Sequence, residues 1–342
     1  MAIVRLAVPG SVLAGIASCF AWAGSEIVPG QVDEVRVVEA LEAHSGPQPG
    51  FRRNHAKGLC LGGWFESNGA GTRLSQARVF ESGRVPVLGR FSLPGGRPAK
   101  ADGPNVARSM ALHFALPDGE AWRTAMNDTP VFPVRDAEGF YDNLIALKHD
   151  PATGRSDPAK VAAFLEAHPE SARALALIRA HPVSSGFANT TYNSLNAFRL
   201  IDRAGNATPV RWSMVPLDVF EPQPAERPEG RGYLFDALIA RLGQGPVQWR
   251  LLLAIGQPGD PTNDATVPWP ADRETVDVGT LTVAALESEA AGNCRDVNFD
   301  PLMLPRGIAP SDDPLLRARS AAYAISHARR ASEPGQPGAV RK

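Results

Sequence analysis

One of the seven histidines in this chain lies in surroundings suited to proton transfer. His55 belongs to the polar, cationic segment 52–58 (RRNHAKG), which runs straight into the apolar segment 59–65 (LCLGGWF). Imidazole titrates near neutral pH, so a positioned histidine can take up and return a proton within one reaction cycle. No two histidines have the HExxH spacing of a metal site. His55 is therefore predicted to act as a general acid–base, with an ordinary surface or core histidine as the alternative.

A second pair of residues could bind an iron centre. Arg319 precedes Tyr323 by four residues within the helical pattern of 313–330, so the two side chains share a helix face. A guanidinium beside a phenol favours the phenolate, and a phenolate is an axial ligand that ferric haem accepts. The alternative is an Arg–Tyr pair on a helix surface without a functional role.

The patterning of the rest of the chain predicts the elements that must position these residues. Short β-rich runs separated by Gly, Pro and Asp extend over 58–134, and a hairpin with a turn at 204–206 covers 196–217. The other predicted elements are strands at 248–255 and 276–286 and helices at 34–44, 157–180, 232–242 and 313–330. This order predicts an α+β fold, with helices surrounding an antiparallel β-barrel or sandwich, and favours the barrel.

The composition of the chain and the motifs it lacks reduce the number of functions that the sequence could indicate. Lys and Arg total 35 against 36 Asp and Glu, a balance that gives no reason to expect nucleic acid or an anionic membrane surface as a partner. The sequence has no GxGxxG motif after a strand, no P-loop and no GxSxG motif. It also has no CxxCH motif for covalent attachment of haem.

The three cysteines, at positions 19, 60 and 294, are widely spaced and odd in number. Such a set predicts neither a disulfide framework nor a zinc site. Cys60 and Cys294 are predicted to be small buried residues.

The first 23 residues are predicted to be a targeting segment. Arg5 precedes the apolar stretch 7–22, and the A-x-A pattern at 21–23 is typical of a cleavage site. A signal peptide and a periplasmic or exported protein are therefore predicted, with an uncleaved inner-membrane anchor over 7–23 or a packed helix as alternatives. The folded domain would then cover 24–331, and the Pro- and Gly-containing tail 332–342 is predicted to be disordered.

Five segments carry a family resemblance when they are taken together. They are RRNHAKGLCLGGWFE, GRFSLPGG, NDTPVFPVRDAEGF, YNSLNAFRLIDRAG and NFDPLMLPRGIAPSDDPLLRARSAAYAISHARR. In this order they resemble the haem catalases, and specifically the short catalase-related peroxidases of bacteria. The resemblance reaches from about residue 50 to residue 330. It implies the catalase-like barrel and haem b (iron protoporphyrin IX) as cofactor, whereas NADPH is not expected because the family's nucleotide-binding region has no counterpart here.

On the distal side of the haem, the resemblance implies four roles. His55 would be the acid–base, and Ser92 would be its hydrogen-bond partner. Asn127 would be the distal amide, and Phe132 would stack near the haem.

On the proximal side, the resemblance implies Tyr323 as the axial ligand of the haem iron, with Arg319 as its charge partner. Asp313 would pair with Arg319. Three guanidiniums would bind the two haem propionates, and they belong to Arg52, Arg90 and Arg330.

Three positions depart from the pattern of the large catalases. Asn54 stands where these carry an apolar residue over the haem, and Val106 where they carry an acid in the access channel. Asn196 stands where a proximal histidine is expected. These departures favour peroxidase turnover over fast dismutation of hydrogen peroxide.

The sequence therefore predicts a haem peroxidase that reduces hydrogen peroxide or organic peroxides with a small organic electron donor, with weak catalase activity. The protein is expected to be a monomer or small homo-oligomer. Two alternatives remain. One is a catalase-like enzyme that rearranges lipid hydroperoxides, and the other is an exported haem-binding protein without catalytic activity.

Overall fold

The computed structural model describes residues 33–150, 152–226 and 228–342. The targeting segment predicted at 1–23, and Cys19 within it, lie outside these residues. Within the described ranges, no helix combines the length and apolar character needed to span a membrane.

An antiparallel sheet of ten strands forms the centre of the described structure. The strands are β1 (Gly58–Ser67), β2 (Gly83–Ser92), β3 (Ser109–Ala115), β4 (Ala121–Asn127), β5 (Tyr192–Asn193), β6 (Phe198–Ile201), β7 (Ala207–Pro216), β8 (Val247–Ile255), β9 (Thr275–Glu287) and β10 (Ile308–Pro310). Pairing of β7 with β8 closes eight of these strands into a barrel, while β6 and β10 extend from the edge of β7. The predicted α+β fold around an antiparallel barrel is confirmed.

Large aromatic side chains fill the barrel. Side chains alternate between the two faces of a strand, so every second residue of each strand points inward. Trp122 stacks on Phe114 and meets Trp212 edge-on, with ring centroids 4.7 and 5.1 Å apart. The indole nitrogen of Trp212 donates to Thr124 at 3.0 Å, which satisfies its buried N–H. The intervening residues point outward, and those of β2, β3 and β4 are available for a site.

Six helices lie around the barrel within the described residues. They are α1 (Glu34–Ser45), α2 (Ala137–Ala146), α3 (Pro158–Ala167), α4 (Pro169–Ala180), α5 (Tyr233–Leu242) and α6 (Pro314–Ala331). The single helix predicted at 157–180 is two helices, because Pro169 keeps the residue before it out of the helical conformation and His168 has φ −123° and ψ 71°. Helix α2, which Asp136 caps, was not predicted.

Cys60 and Cys294 form a disulfide, which corrects the prediction that they are two separate buried residues. The bond joins β1 to the short turn Cys294–Asp296 across 234 positions of sequence. Their wide spacing concealed the pairing, because only the closed barrel brings the two positions together.

The tail 332–342 is predicted to be disordered, but its residues 333–342 pack on the rest of the protein. Glu333 binds Arg53 and the backbone N–H of Gly50, and Val340 is buried in the main hydrophobic core. The backbone N–H of Lys342 donates to the Ser288 hydroxyl at 2.8 Å. Composition alone pointed to disorder, whereas one ion pair and one buried apolar side chain fix the segment.

Removal of the disulfide should destabilise the protein. We expect the double variant Cys60→Ser/Cys294→Ser to lower the free energy of unfolding by about 2–5 kcal/mol, because the bond closes a long loop in the unfolded chain. Denaturant titration of the oxidised wild type and the variant measures this difference. Equal midpoints, together with free thiols at both Cys60 and Cys294 in unreduced wild type, would show that the bond does not form.

Candidate active site

A cavity lies between the outer face of the barrel and helices α1, α2 and α6. Its lining includes nearly every residue predicted for the site: Arg52, His55, Arg90, Ser92, Asn127, Phe132, Arg319, Tyr323 and Arg330. The structure therefore brings together side chains that are up to 278 positions apart in sequence, from 52 to 330.

The barrel face of the cavity is built from outward-pointing residues on neighbouring strands. Ser92 of β2 pairs in register with Ser109 of β3, which pairs with Asn127 of β4. In the next row along the strands, Ala111 and Ala125 line the cavity with methyl groups only. This small-residue surface leaves room for a flat group between the barrel and helix α6.

His55 occupies one wall of the cavity. Its Nδ1 lies 3.4 Å from the hydroxyl of Ser92. Burial, and then the nearby guanidiniums of Arg90 and Arg319, lower the pKa of His55 to about 3. The imidazole is therefore neutral at physiological pH, which is the form that a general base requires.

The backbone of His55 has a left-handed conformation, with φ of 56°. Such a conformation is strained for a residue with a side chain. Asn54 supports it, because its side-chain oxygen accepts from the backbone N–H groups of His55 at 2.9 Å and of Gly95 at 2.7 Å. Asn54, which departs from the catalase pattern, thus holds the turn that presents the imidazole.

Asn127 has a fixed orientation. The hydroxyl of Ser109 donates to its side-chain oxygen at 2.6 Å. The amide N–H₂ group of Asn127 is then the part left to donate to a ligand in the cavity. Ser109 is a site residue that the sequence analysis missed, since it belongs to no motif and only its cross-strand register reveals it.

Helix α6 supplies the opposite wall. Tyr323 packs in a small cluster with the disulfide and Phe299. One turn earlier, the guanidinium of Arg319 donates to the side-chain oxygen of Asn196 and to the carbonyl oxygen of Ala125. Helical spacing thus puts both predicted proximal residues on the cavity side of α6, as the sequence led us to expect.

The predicted pairing of Asp313 with Arg319 is not direct. Asp313 accepts a hydrogen bond from the amide of Asn196 at 2.8 Å, and Asn196 in turn accepts from Arg319. Asp313 also caps the start of α6 through the backbone N–H of Leu315. Asn196 therefore connects the acid to the guanidinium at the position where a histidine was expected.

Three guanidiniums form the basic end of the cavity. Arg52 donates through Nη2 to the carbonyl oxygens of residues 294, 295 and 297, at 3.0 to 3.1 Å. Arg90 lies beside Gly58, where a Cβ atom would be only 2.0 Å from its Nη2. Burial, and then the neighbouring Arg90, lower the pKa of Arg330 to about 10. These positive charges are held together at an electrostatic cost.

Glu289 compensates part of this charge, and the sequence analysis missed it. Its buried carboxylate accepts from Nε and Nη2 of Arg90, each at 3.1 Å, and lies 4.0 Å from Nε of Arg52. One carboxylate against three guanidiniums leaves two positive charges without a partner in this cluster.

The residues present fit a haem. Nε of Arg52 and Nη2 of Arg330 are buried donors that find no hydrogen-bond partner in the described parts of the chain. Buried donors usually bind a protein group, a ligand or water, and the two propionates of a haem would match both these donors and the two uncompensated charges. The alanine surface and the Tyr323 phenol face the remainder of the cavity. Phe132 and Phe140 stack at its rim, with centroids 6.2 Å apart.

Comparison with known proteins identifies the family of the chain. The family model described as Catalase matches residues 28–335. A catalase-related peroxidase from Synechococcus elongatus is 37% identical over 90% of this chain and 90% of its own length. A catalase-related peroxidase from Mycolicibacterium paratuberculosis is 35% identical over 85% of this chain and 92% of its own. A solved bacterial catalase shares the fold with a TM-score of 0.72 at 22% identity, over 89% of this chain and 62% of that one.

The fold and the site thus define an oxidoreductase that acts on peroxide, of a class that uses haem. The chain belongs to the catalase family. It corresponds to less than two thirds of the solved bacterial catalase. The family resemblance read from the five sequence segments is confirmed.

Like Asn196, Val106 is a departure from the catalase pattern that does not line the cavity among the described residues. It packs against the barrel core, and its carbonyl oxygen accepts from Arg108 at 2.8 Å. Helix α1 contributes apolar lining to the cavity through Val37, Val38 and Leu41.

The role assigned to Ser109 can be tested by removing its hydroxyl. We expect Ser109→Ala to lower kcat/KM for peroxide by about tenfold, because the Asn127 amide would be free to rotate away. The matched control is Ser213→Ala, since Ser213 donates to Asn193 at 2.7 Å in the same way on neighbouring strands outside the cavity. Equal activity of the two variants would contradict the assignment.

Proposed function

We propose that this protein is a haem b peroxidase that reduces hydrogen peroxide or organic peroxides with a small organic electron donor. The observation that carries the proposal is the pairing of a neutral His55 with an oriented Asn127 on one side of the cavity, opposite Tyr323 on α6. The relatives from Synechococcus elongatus and Mycolicibacterium paratuberculosis described above are both named catalase-related peroxidase.

The protein residues divide the proton chemistry between them. For Nε2 of His55 to accept the peroxide proton, Nδ1 must carry the hydrogen and donate it to Ser92. His55 then returns the proton to the departing oxygen, so that water leaves. The Asn127 amide holds the peroxide by a hydrogen bond. When bound, the haem would supply the redox chemistry that cleaves the O–O bond.

The proximal residues would serve as ligand and support. Tyr323 would ligate the haem iron through its phenolic oxygen. Arg319, fixed by Asn196 and the Ala125 carbonyl, would keep a positive charge one turn away on the same helix face. Arg52, Arg90 and Arg330 would bind the propionates.

We also propose that the protein works in an oxidising compartment after export. The disulfide between Cys60 and Cys294 supports this proposal, since such bonds persist in the periplasm and outside the cell and are rare in the cytosol. The predicted signal peptide at 1–23 agrees with it.

A second candidate function is the rearrangement of organic hydroperoxides instead of their reduction. The apolar lining contributed by Val37, Val38 and Leu41 favours a substrate with a hydrocarbon chain. Consumption of a fatty-acid hydroperoxide without any donor would support rearrangement, whereas a requirement for donor supports the peroxidase.

Substitution of the two principal residues tests the proposal. We expect His55→Ala to reduce oxidation of a phenolic dye by about a hundredfold or more, since it removes the acid–base. Tyr323→Phe should abolish or grossly alter the haem absorption spectrum. Oxygen release, measured in parallel with dye oxidation, separates catalase from peroxidase turnover. Unchanged rates in His55→Ala would refute the mechanism, and a wild type that binds haem without consuming peroxide would be a carrier.

The low pKa of His55 predicts how the rate of reaction with hydrogen peroxide depends on pH. Because the imidazole is neutral above about pH 3, the rate of reaction with hydrogen peroxide should stay constant from about pH 8 down to about pH 5. Stopped-flow mixing after a pH jump measures this rate before acid unfolds the protein. A fall in rate centred near pH 6.5, the ordinary histidine value, would contradict the assignment.

The lowered pKa of His55 also affects the stability of the folded protein. The folded pKa of His55 lies below the value of the unfolded chain, so protonation favours unfolding. The contribution of neutral His55 to stability is complete above about pH 6.5 and is lost as the pH falls from there towards about 3.

A further inference from the structure

The segment 333–342, which we name the clasp segment, lies across the basic end of the cavity. Gln336 and Gly338 of this segment line a small second cavity together with Arg52, Arg330 and Glu289. The clasp segment therefore covers the side of the guanidinium cluster that faces away from the main cavity.

Both ends of the clasp segment are anchored. At one end, the carboxylate of Glu333 accepts from Nη1 of Arg53 at 2.9 Å and from the backbone N–H of Gly50 at 2.7 Å. Arg53 is itself buried and also binds Glu42 of α1. This ion pair ties the start of the segment to the residues that immediately precede His55.

At the other end, Val340 is 7% exposed and belongs to the main hydrophobic core. The backbone N–H of Lys342 donates to Ser288, the residue next to Glu289. A segment held at two points in this way resists opening, because both anchors must be released together.

The middle of the clasp segment presses on the backbone of Glu289. A Cβ atom at Gly338 would lie 2.8 Å from the nitrogen and 2.9 Å from the carbonyl oxygen of Glu289. Only glycine allows this approach. The segment thus supports the residue whose carboxylate binds Arg90 and lies near Arg52.

Covering the guanidiniums has an electrostatic consequence. Pairs of opposite charge attract more strongly where water is excluded, and each polar group that stays unpaired there is more costly. A covered basic end therefore binds a dicarboxylate more firmly than an open one, provided that the ligand's carboxylates reach both Arg52 and Arg330.

We propose that the clasp segment retains the cofactor by sealing the carboxylate-binding end of the cavity and by positioning Glu289 against the guanidiniums. The proposal rests on the proposed function in so far as the ligand of the cavity is haem. It assigns a role in cofactor retention to residues 333–342, which take no part in the reaction.

Two variants release the clasp segment in different ways. In Gly338→Val, the added side chain must push the segment away from Glu289. In the second variant, a stop codon after Glu333 removes residues 334–342 but keeps the ion pair with Arg53. The matched control is Arg341→Ala, because Arg341 is exposed and belongs to the same segment.

The experiment measures haem loss from each holoprotein to excess apomyoglobin, followed by the change in the Soret band. We expect both released variants to lose haem about tenfold faster than wild type, as is typical when residues that support a ligand-binding group are disturbed, and Arg341→Ala to match wild type. A rate within about threefold of wild type in Gly338→Val overturns the proposal. If the truncated chain does not fold, as judged by circular dichroism, Gly338→Val alone decides.

The measurement of haem loss does not depend on whether the protein consumes peroxide. If wild-type holoprotein consumes no peroxide, the proposed function fails while the comparison of haem loss remains valid. If the released variants keep their haem and wild type consumes peroxide, the clasp proposal fails and the function stands.

Discussion

The buried positive charge of three guanidiniums is the constraint on which the rest of the site depends. Arg52 belongs to the segment before β1, Arg90 to β2 and Arg330 to helix α6, so their mutual repulsion acts on three parts of the structure at once. Glu289 and the carbonyl oxygens around Arg52 relieve part of it. An anionic ligand would neutralise the remainder, so binding of the cofactor should stabilise this region.

The barrel contributes to the site because side chains along its strands alternate between the inner and the outer face. Inward residues of β2, β3 and β4 build the aromatic core, and the residues between them build the floor of the cavity. A single run of strand therefore supplies packing on one face and chemistry on the other. A register slip of one residue would exchange the two faces and destroy both core and site.

Much of the fold and of the site could be predicted from sequence, for identifiable reasons. The α6 pair Arg319 and Tyr323 has helical spacing, and the hairpin around 204–206 has local turn chemistry. Ser109, Glu289 and the disulfide could not be predicted. Each acts through a partner that is remote in sequence, and only strand register or loop closure brings them together.

The wide spread of the site along the chain bears on how it assembles. β1 pairs with β9, and the residues around the cavity range from 37 to 330, so the cavity has no complete wall until nearly all of the barrel has formed. Contacts between remote positions form late and slowly in folding. The cavity should therefore become complete late in folding, and the cofactor should be captured only after most of the barrel has formed.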